Sequence, residues 1–171
     1  MPRIDIDQIT VLQAVADRLI ASVATTPALN DSTCFLSLQP LPPVMLPSNL
    51  FLTVAPIEGR FDSGLHDGGG IYQTMEEAGV VVTVFSRVHL DRGGRDGKQL
   101  SESARGLLTI KRLILKSLSG HDLLTSGGST FLRNLMAPMR CDAPGKIQEE
   151  GNLIGYLPIY FSTDFDWDLQ T

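Results

Sequence analysis

The sequence predicts an α+β fold, with two helices packed on one face of an antiparallel or mixed sheet of about four strands. Two segments repeat apolar residues at helical spacing, and one long segment near the C-terminus alternates apolar and polar residues at strand spacing. Two further runs rich in β-branched residues precede the second helical segment. The resulting order of helix, strand, strand, helix, strand favours a two-layer arrangement.

The length and composition indicate one domain over residues 1–171 with a substantial core. The chain has 171 residues, and 43% of them are hydrophobic, which fits the ~100–200 residues of a typical domain. The mean hydropathy of +0.08 is slightly high for a freely soluble monomer. We therefore expect some apolar surface to be covered by other subunits.

The charge balance argues against two classes of partner. There are 14 basic and 19 acidic residues, for a net charge of −5. Duplex DNA binding and membrane-surface binding both depend on basic patches.

The longest compact apolar run, VVVTVF, is far shorter than the ~18 residues of a membrane span. The N-terminal residues lack the apolar centre of a secretory signal, so synthesis in the cytoplasm is expected, with Cys34 and Cys141 reduced and buried.

The first helix is predicted over residues 5–24. Asp5 is its expected N-cap, and its apolar residues recur at three- and four-residue steps. The face predicted to be buried comprises Ile9, Leu12, Ala16, Leu19 and Val23. A segment with four prolines between residues 40 and 47 follows, and it is predicted to be an extended connector because proline lacks an amide donor.

Two strands are predicted over residues 50–57 and 80–88, where β-branched and aromatic residues are concentrated. The segment between them, 58–79, is too long for a tight turn. It is predicted to be a long loop, with a short strand at residues 71–75.

A second helix follows a charged, glycine-rich loop at 89–98. Ser101 is its predicted cap and Gly120 its end, and three cations (Lys111, Arg112 and Lys116) occupy its later half. Its expected core face consists of Leu100, Ala104, Leu107, Leu108, Ile114, Leu115 and Leu118. Residues 121–152 are rich in turn formers and are predicted as a third long loop, with a short apolar element at 131–136.

The last strand is predicted from a strict alternation that begins at Tyr156. The apolar odd positions are Leu157, Ile159, Phe161, Phe165, Trp167 and Leu169, and the even positions are polar or amphipathic. Such alternation is typical of a sheet with one covered and one wetter face. Pro158 is expected near the start of this strand or at a sheet edge, since it cannot donate a ladder hydrogen bond.

No motif in the chain is specific enough to name a reaction. The glycines of HDGGG (66–70) do not lead into a helix as those of a phosphate loop do. His66, His89 and His121 do not have the spacing of a zinc site, and neither cysteine has the surroundings of a known nucleophile. The sequence therefore predicts a non-enzymatic protein with no cofactor and no metal.

Asp164, Asp166 and Asp168 are the most conspicuous polar group. They lack the glycine and the closing glutamate of a calcium loop. Carboxylates on alternate residues of a strand lie ~7 Å apart, which is too far for two of them to share a small cation unaided. Such a face is suited to solvent, or to a polyanion that must pass without binding.

The succession of elements resembles the tail terminator (tail completion, or head–tail joining) proteins of long-tailed bacteriophages. The resemblance rests on the N-terminal amphipathic helix, the strands LFLTVAP and VVVTVFSR, the charged loop, the helix SARGLLTIKRLILKSL and the alternating strand LIGYLPIYFSTDFDWDL. It covers most of the chain as a pattern of elements, although the family has no short diagnostic motif.

The resemblance implies a structural virion protein located in the tail or neck. In that family a hexameric ring caps the tail tube, joins it to the neck and lets DNA pass without specific binding. The partners implied are further copies of the chain, the tail tube and the connector proteins. The expected lumen or interface residues are Asp164, Asp166, Asp168, Arg92, Arg95 and Lys98.

Two other functions remain open from the sequence. One is another neck or baseplate component of the same kind of particle. The other is a small metal-assisted hydrolase that uses the C-terminal aspartates with His66 or His121.

Overall fold

The structure, a computed structural model, describes residues 8–22, 33–38, 49–63, 73–87, 106–123, 136–149 and 152–168. These residues form two helices and six strands, and the predicted α+β class is confirmed. The elements are α1 (Gln8–Ser22), β1 (Cys34–Leu36), β2 (Leu50–Ser63), β3 (Gln73–Arg87), α2 (Leu107–Leu118), β4 (Ala137–Cys141), β5 (Gly145–Glu149) and β6 (Asn152–Asp168).

The sheet is mixed, with the strand order β1-β2-β3-β6-β4, and β5 also pairs with β6. Among the strands that the structure describes, β1 and β2 run parallel and the other pairs are antiparallel. Helix α1 packs against β1 and β2, and α2 packs against β3 and β6. Both helices therefore cover one face, as predicted, over a sheet with two more strands than expected.

The core lies between the helices and this face of the sheet. Alternate residues of the three longest strands point into it, because successive side chains of a strand point to opposite faces. The strand residues buried there are Leu50, Leu52, Val54, Val80, Val82, Val84, Leu157, Ile159 and Phe161. The predicted inward direction of Leu157, Ile159 and Phe161 is confirmed.

Helix α1 buries Leu12, Ala16 and Leu19 as predicted, but Ile9 is 60% exposed. At 100° per residue, Ile9 lies roughly 90° around the helix from the middle of the buried stripe, which also includes Val15. The positions predicted for the N-cap and for the last apolar residue, Asp5 and Val23, lie outside the described residues.

Helix α2 begins at Leu107 after Gly106, whose extended backbone occupies the N-cap position without a side-chain cap, so the predicted cap at Ser101 is wrong. The helix buries a stripe of Leu107, Ile110, Ile114, Ser117 and Leu118. Leu108 was expected in the core but is 46% exposed, because it lies roughly 130° around the helix from the middle of the buried residues. Gly120 ends the helix as predicted, with a φ of +69° that favours glycine.

The predicted loop at 58–79 is wrong over most of its length, because β2 continues to Ser63 and β3 begins at Gln73. A bulge between Ile57 and Arg60 inserts one extra residue and lets the pairing continue. Residues 73–75 of the predicted short strand belong to β3. The predicted loop at 89–98 lies outside the described residues.

The predicted loop at 121–152 contains two short strands that the sequence did not reveal. Strands β4 and β5 pair with consecutive stretches of β6 and run in the same direction, so they form one interrupted edge of the sheet. Of the apolar element predicted at 131–136, only Met136 is described, and it is buried.

Pro158 lies within β6, in the interior of the sheet, and not at the strand's start or on an edge as predicted. Its carbonyl accepts a hydrogen bond from the amide of Asp142, which lies in the interruption between β4 and β5. In an antiparallel ladder the N–H and C=O of one residue point the same way. The missing N–H of Pro158 is therefore directed at the interruption, and the ladder with β3 loses nothing.

Both cysteines are free thiols. Cys34 is buried as expected, whereas Cys141 is only half-buried at the edge of the sheet. Neither described helix is long and apolar enough to cross a membrane.

Candidate interaction surface

The sheet face turned away from the helices, termed here the opposite face, carries the alternate residues of the same long strands. Its members include Phe51, Thr53 and Ala55 from β2 and Val81, Thr83 and Phe85 from β3, all buried. The two ends of this face differ in chemistry, since one is aromatic and the other is polar and charged.

Four aromatic side chains from four neighbouring strands form one row at the first end, the aromatic row. Phe51 and Phe85 are paired in register and stack with their ring centroids 4.7 Å apart. Phe35 lies 6.3 Å from Phe51 on one side, and Tyr156 lies 6.5 Å from Phe85 on the other. Contacts of this kind contribute ~0.5–1.5 kcal/mol each beyond the burial of area.

At the sheet edge, the last ring of the aromatic row lies against a glycine. Gly145 of β5 is paired with Tyr156, and a Cβ atom added at Gly145 would meet the Tyr156 ring. The absence of a side chain at this position therefore lets the ring lie against the edge strand.

A row of buried threonines separates the two ends. Thr53 and Thr83 are paired in register, and Pro158 is the next residue across. Both threonine hydroxyls are buried, and neither has a hydrogen-bond partner among the described residues. The threonines thus end the aromatic row, and the smaller apolar pair Ala55 and Val81 lies between them and the second end.

At the second end of the opposite face lies a cleft of about 290 Å³. It is lined by Glu58, Arg60, Glu77, Gly79, Met139 and Ser162. Gly79 of β3 and Ser162 of β6 are paired in register and line the cleft. Both residues are small, which leaves space above the sheet at this point. Met139 is the bulged residue of β4 and stands 56% exposed at the rim.

The charges of the cleft come mainly from one row of the sheet. Arg60, Glu77 and Asp164 are paired in register across β2, β3 and β6. Glu77 therefore has a cation on one side and a like charge on the other, and like charges directly opposite each other destabilise a strand pair. With exposed Glu58 nearby, the carboxylates outnumber the cations among the described lining residues, where Arg60 is the one cation.

A second polar group adjoins the cleft on β4 and β6. The guanidinium of Arg140 lies 4.1 Å from the centroid of the Tyr160 ring, and the Tyr160 hydroxyl donates a hydrogen bond of 2.8 Å to Asp142. Arg140 Nε is also 3.7 Å from Asp142 Oδ1. Hydrogen bonding to Tyr160 and then the charge of Asp142 raise the pKa of Arg140. The cluster holds an exposed cation in one orientation beside Met139.

The three predicted aspartates occupy alternate positions of β6, as the alternation required. In the ladder with β3, Asp164, Asp166 and Asp168 are paired with Glu77, Met75 and Gln73. Asp164 is half-buried beside the cleft. The aspartate positions thus continue from the cleft toward the far end of the three longest strands.

Of the other predicted residues, the structure describes only His121, which lies just after α2. Arg92, Arg95, Lys98, His66 and His89 lie outside the described residues. His121 is exposed, and its Nδ1 is 3.2 Å from Nη2 of Arg18, whose Nε donates to the Ser117 carbonyl at the end of α2. Within the described parts of the chain, no three His, Cys, Asp or Glu side chains are grouped to hold a metal ion.

Sequence reasoning missed Glu58, Arg60, Glu77, Met139 and Arg140. All five lie in segments that were predicted to be loops, so their charges had no assigned face. No alternation marks the segment that contains Glu77, because residues 73–77 (QTMEE) are polar at four of five positions.

No protein-family model matches the chain, and no curated protein matches it. Among solved structures, the chain is similar to one in the virion of a native gene transfer agent (GTA) particle. The two chains are 12% identical, the match covers 92% of this chain and 95% of the other, and the TM-score is 0.48. A likeness of this strength does not carry a function from one chain to the other.

Proposed function

We propose that the protein is a structural, non-enzymatic component of a phage-like virion, a tail terminator whose hexameric ring caps the tail tube and joins it to the neck. Two features support the proposal. The element order resembles that family, and a mixed sheet with both helices on one face, as found in this chain, is the fold of that family's subunits. The protein is made in the host cytoplasm and resides in the virion.

The observation that carries the proposal is the acidic end of the three longest strands. Beyond the helix-covered core, β2, β3 and β6 stay paired to Ser63, Gln73 and Asp168. In this extension β3 and β6 bring five acidic residues, namely Glu76, Glu77, Asp164, Asp166 and Asp168. A wall that DNA must pass should repel phosphates, and the chain's net charge of −5 has the sign that this repulsion requires.

We further propose that the aspartate positions of β6 border the conduit, while Arg92, Arg95 and Lys98 contact a neighbouring copy, the tail tube or the connector. Asp164 then lies where the conduit meets the cleft, and Asp166 and Asp168 lie closer to the passing DNA. No cofactor, metal or membrane takes part in this function.

The test replaces Asp166 and Asp168 together by lysine in the parent particle and leaves Asp164, which lies beside the cleft, unchanged. Two cations at strand spacing would bind phosphates, so we expect intact tails with attached heads but a titre at least about tenfold lower and slower DNA ejection. A double asparagine variant is the control, because it removes the repulsion without adding attraction and should retain most of the titre. Full infectivity of the lysine variant would refute a lumen position.

The hexamer and the position in the particle are tested separately. Sedimentation of the purified chain should give six times its mass of 18.6 kDa, either free or with tail tubes. Imaging of labelled particles should place the ring between tube and neck. A label at the baseplate would favour the alternative of another particle component, and a stoichiometric metal in the purified protein would favour the hydrolase.

A further inference from the structure

Helix α2 presents a basic surface on its side away from the sheet. Its sequence, LLTIKRLILKSL, contains three cations and no acidic residue. Leu108, Arg112 and Lys116 follow one another at four-residue steps and are all exposed, with half-buried Lys111 beside them. Residues at that spacing share one helix face, so the four form one patch, termed the basic stripe.

The cleft on the opposite face is complementary to the basic stripe. Its described lining residues include two carboxylates, Glu58 and Glu77, and one cation, Arg60. It also carries one large exposed apolar side chain, Met139, just as the stripe carries Leu108. Each patch thus combines charges of one predominant sign with one apolar side chain that a partner would cover.

The positions of the two patches allow a repeating assembly. The stripe lies on the helix layer and the cleft on the far side of the sheet, so one copy can offer its stripe to a second while accepting the stripe of a third. Contacts between two different patches are head-to-tail, and they generate a ring when the rotation between copies closes.

We propose that the basic stripe of one copy docks into the cleft of the next copy and forms the interface between neighbouring subunits. The inference rests on the proposed ring and identifies the surfaces that build it. Opposite charges then fix the orientation of each copy, because two stripes or two clefts facing each other would repel. Leu108 and Met139 supply apolar area at the contact.

Charge reversal tests the interface in solution. The stripe variant is Arg112→Glu with Lys116→Glu, and the cleft variant is Glu58→Lys with Glu77→Lys. Each brings like charges together at every contact, so the dissociation constant measured by sedimentation should rise at least about 100-fold. Circular dichroism and thermal unfolding verify that both variants fold, and the single variants Arg112→Glu and Glu58→Lys replace them if either does not.

Mixing the two variants provides the sharper measurement. The reversed stripe matches the reversed cleft of the other variant, and the native stripe of that variant matches the remaining native cleft. An equimolar mixture should therefore assemble into rings in which the two variants alternate, although neither variant assembles alone. The chain with all four substitutions should also assemble. Asp17→Lys, on the exposed side of α1, is the control and should associate like the native chain.

The possible results separate this inference from the proposed function. If both variants associate as tightly as the native chain, the interface is elsewhere and the ring still stands. If the mixture stays dissociated while the native chain forms rings, charge pairing of these two patches is excluded. If the native chain is monomeric at high concentration and also beside tail tubes, the ring and this interface both fail.

Discussion

The aromatic row and the cleft lie at two ends of the same three strands and on the same face of the sheet, yet they have opposite properties. Phe51, Phe85 and Tyr156 are paired in register at one end, and Ile57, Gly79 and Ser162 are paired in register at the other. The backbone ladder is continuous apart from one bulge. The side chains alone therefore decide which end is packed and which end remains a surface.

The difference can be expressed as free energy. Burying a phenylalanine contributes ~1.5–3 kcal/mol, and each ring contact adds ~0.5–1.5 kcal/mol. Opposite charges on neighbouring strands that are partly exposed, such as Arg60 and Glu77, contribute ~0–1 kcal/mol. The aromatic row therefore contributes more to the free energy of unfolding than the charged residues of the cleft do. Substitutions in the cleft can change binding at little cost in stability.

The largest expected effect is at Phe85, whose ring is fully buried between Phe51 and Tyr156. Phe85→Ala should lower the free energy of unfolding by ~3–5 kcal/mol, because it leaves a cavity and removes two ring contacts. Urea denaturation provides the measurement. Phe85→Leu is the matched control and should cost much less, because it keeps most of the buried volume. A loss below about 1 kcal/mol for Phe85→Ala would contradict the importance assigned to the row.

A smaller effect is expected where Tyr156 lies against Gly145. Gly145→Ala should cost ~1–3 kcal/mol, because the ring is rigid and must move away from the new methyl group. Gly79→Ala is the counterpart at the cleft end, where the new methyl group meets the stiff, β-branched Ile57 side chain and, at 3.1 Å, the Glu58 carbonyl oxygen. Thermal unfolding should show a loss in this range for both variants, and a loss below about 0.5 kcal/mol for either one would contradict the close contact at that glycine.

The parts of the fold that were predictable are those where periodicity is long. The alternation after Tyr156 correctly placed Leu157, Ile159 and Phe161 in the core, and the spacing of Leu12, Ala16 and Leu19 correctly placed α1. In these segments burial imposes one pattern over three or more turns or pairs, so the pattern survives single exceptions such as Ile9.

The cleft was not predictable because the strand segments that form it lack a regular spacing of apolar residues. Strands β4 and β5 have five residues each and contain glycine, proline and charge, all of which are tolerated at an edge. In β2 the bulge after Ile57 shifts the alternation of side chains between the two faces by one residue. Arg60 therefore lies on the same face as Ile57, although the two are three residues apart. The row of Arg60, Glu77 and Asp164 joins three segments by pairing alone, and pairing between distant strands cannot be read from one sequence.

The smallest effect on stability is expected at Glu77, and it separates the two roles of this face most clearly. Glu77→Gln removes an attraction to Arg60 and a repulsion from Asp164 together, so the free energy of unfolding should change by no more than ~0.5 kcal/mol. Urea denaturation measures the free energy of unfolding, and sedimentation of the same sample measures association. If Glu77 contacts a neighbouring copy, the Glu77→Gln variant should associate more weakly while its fold remains intact. A loss of stability above about 1.5 kcal/mol would instead make Glu77 part of the packing, and the acidic end would then resemble the aromatic row.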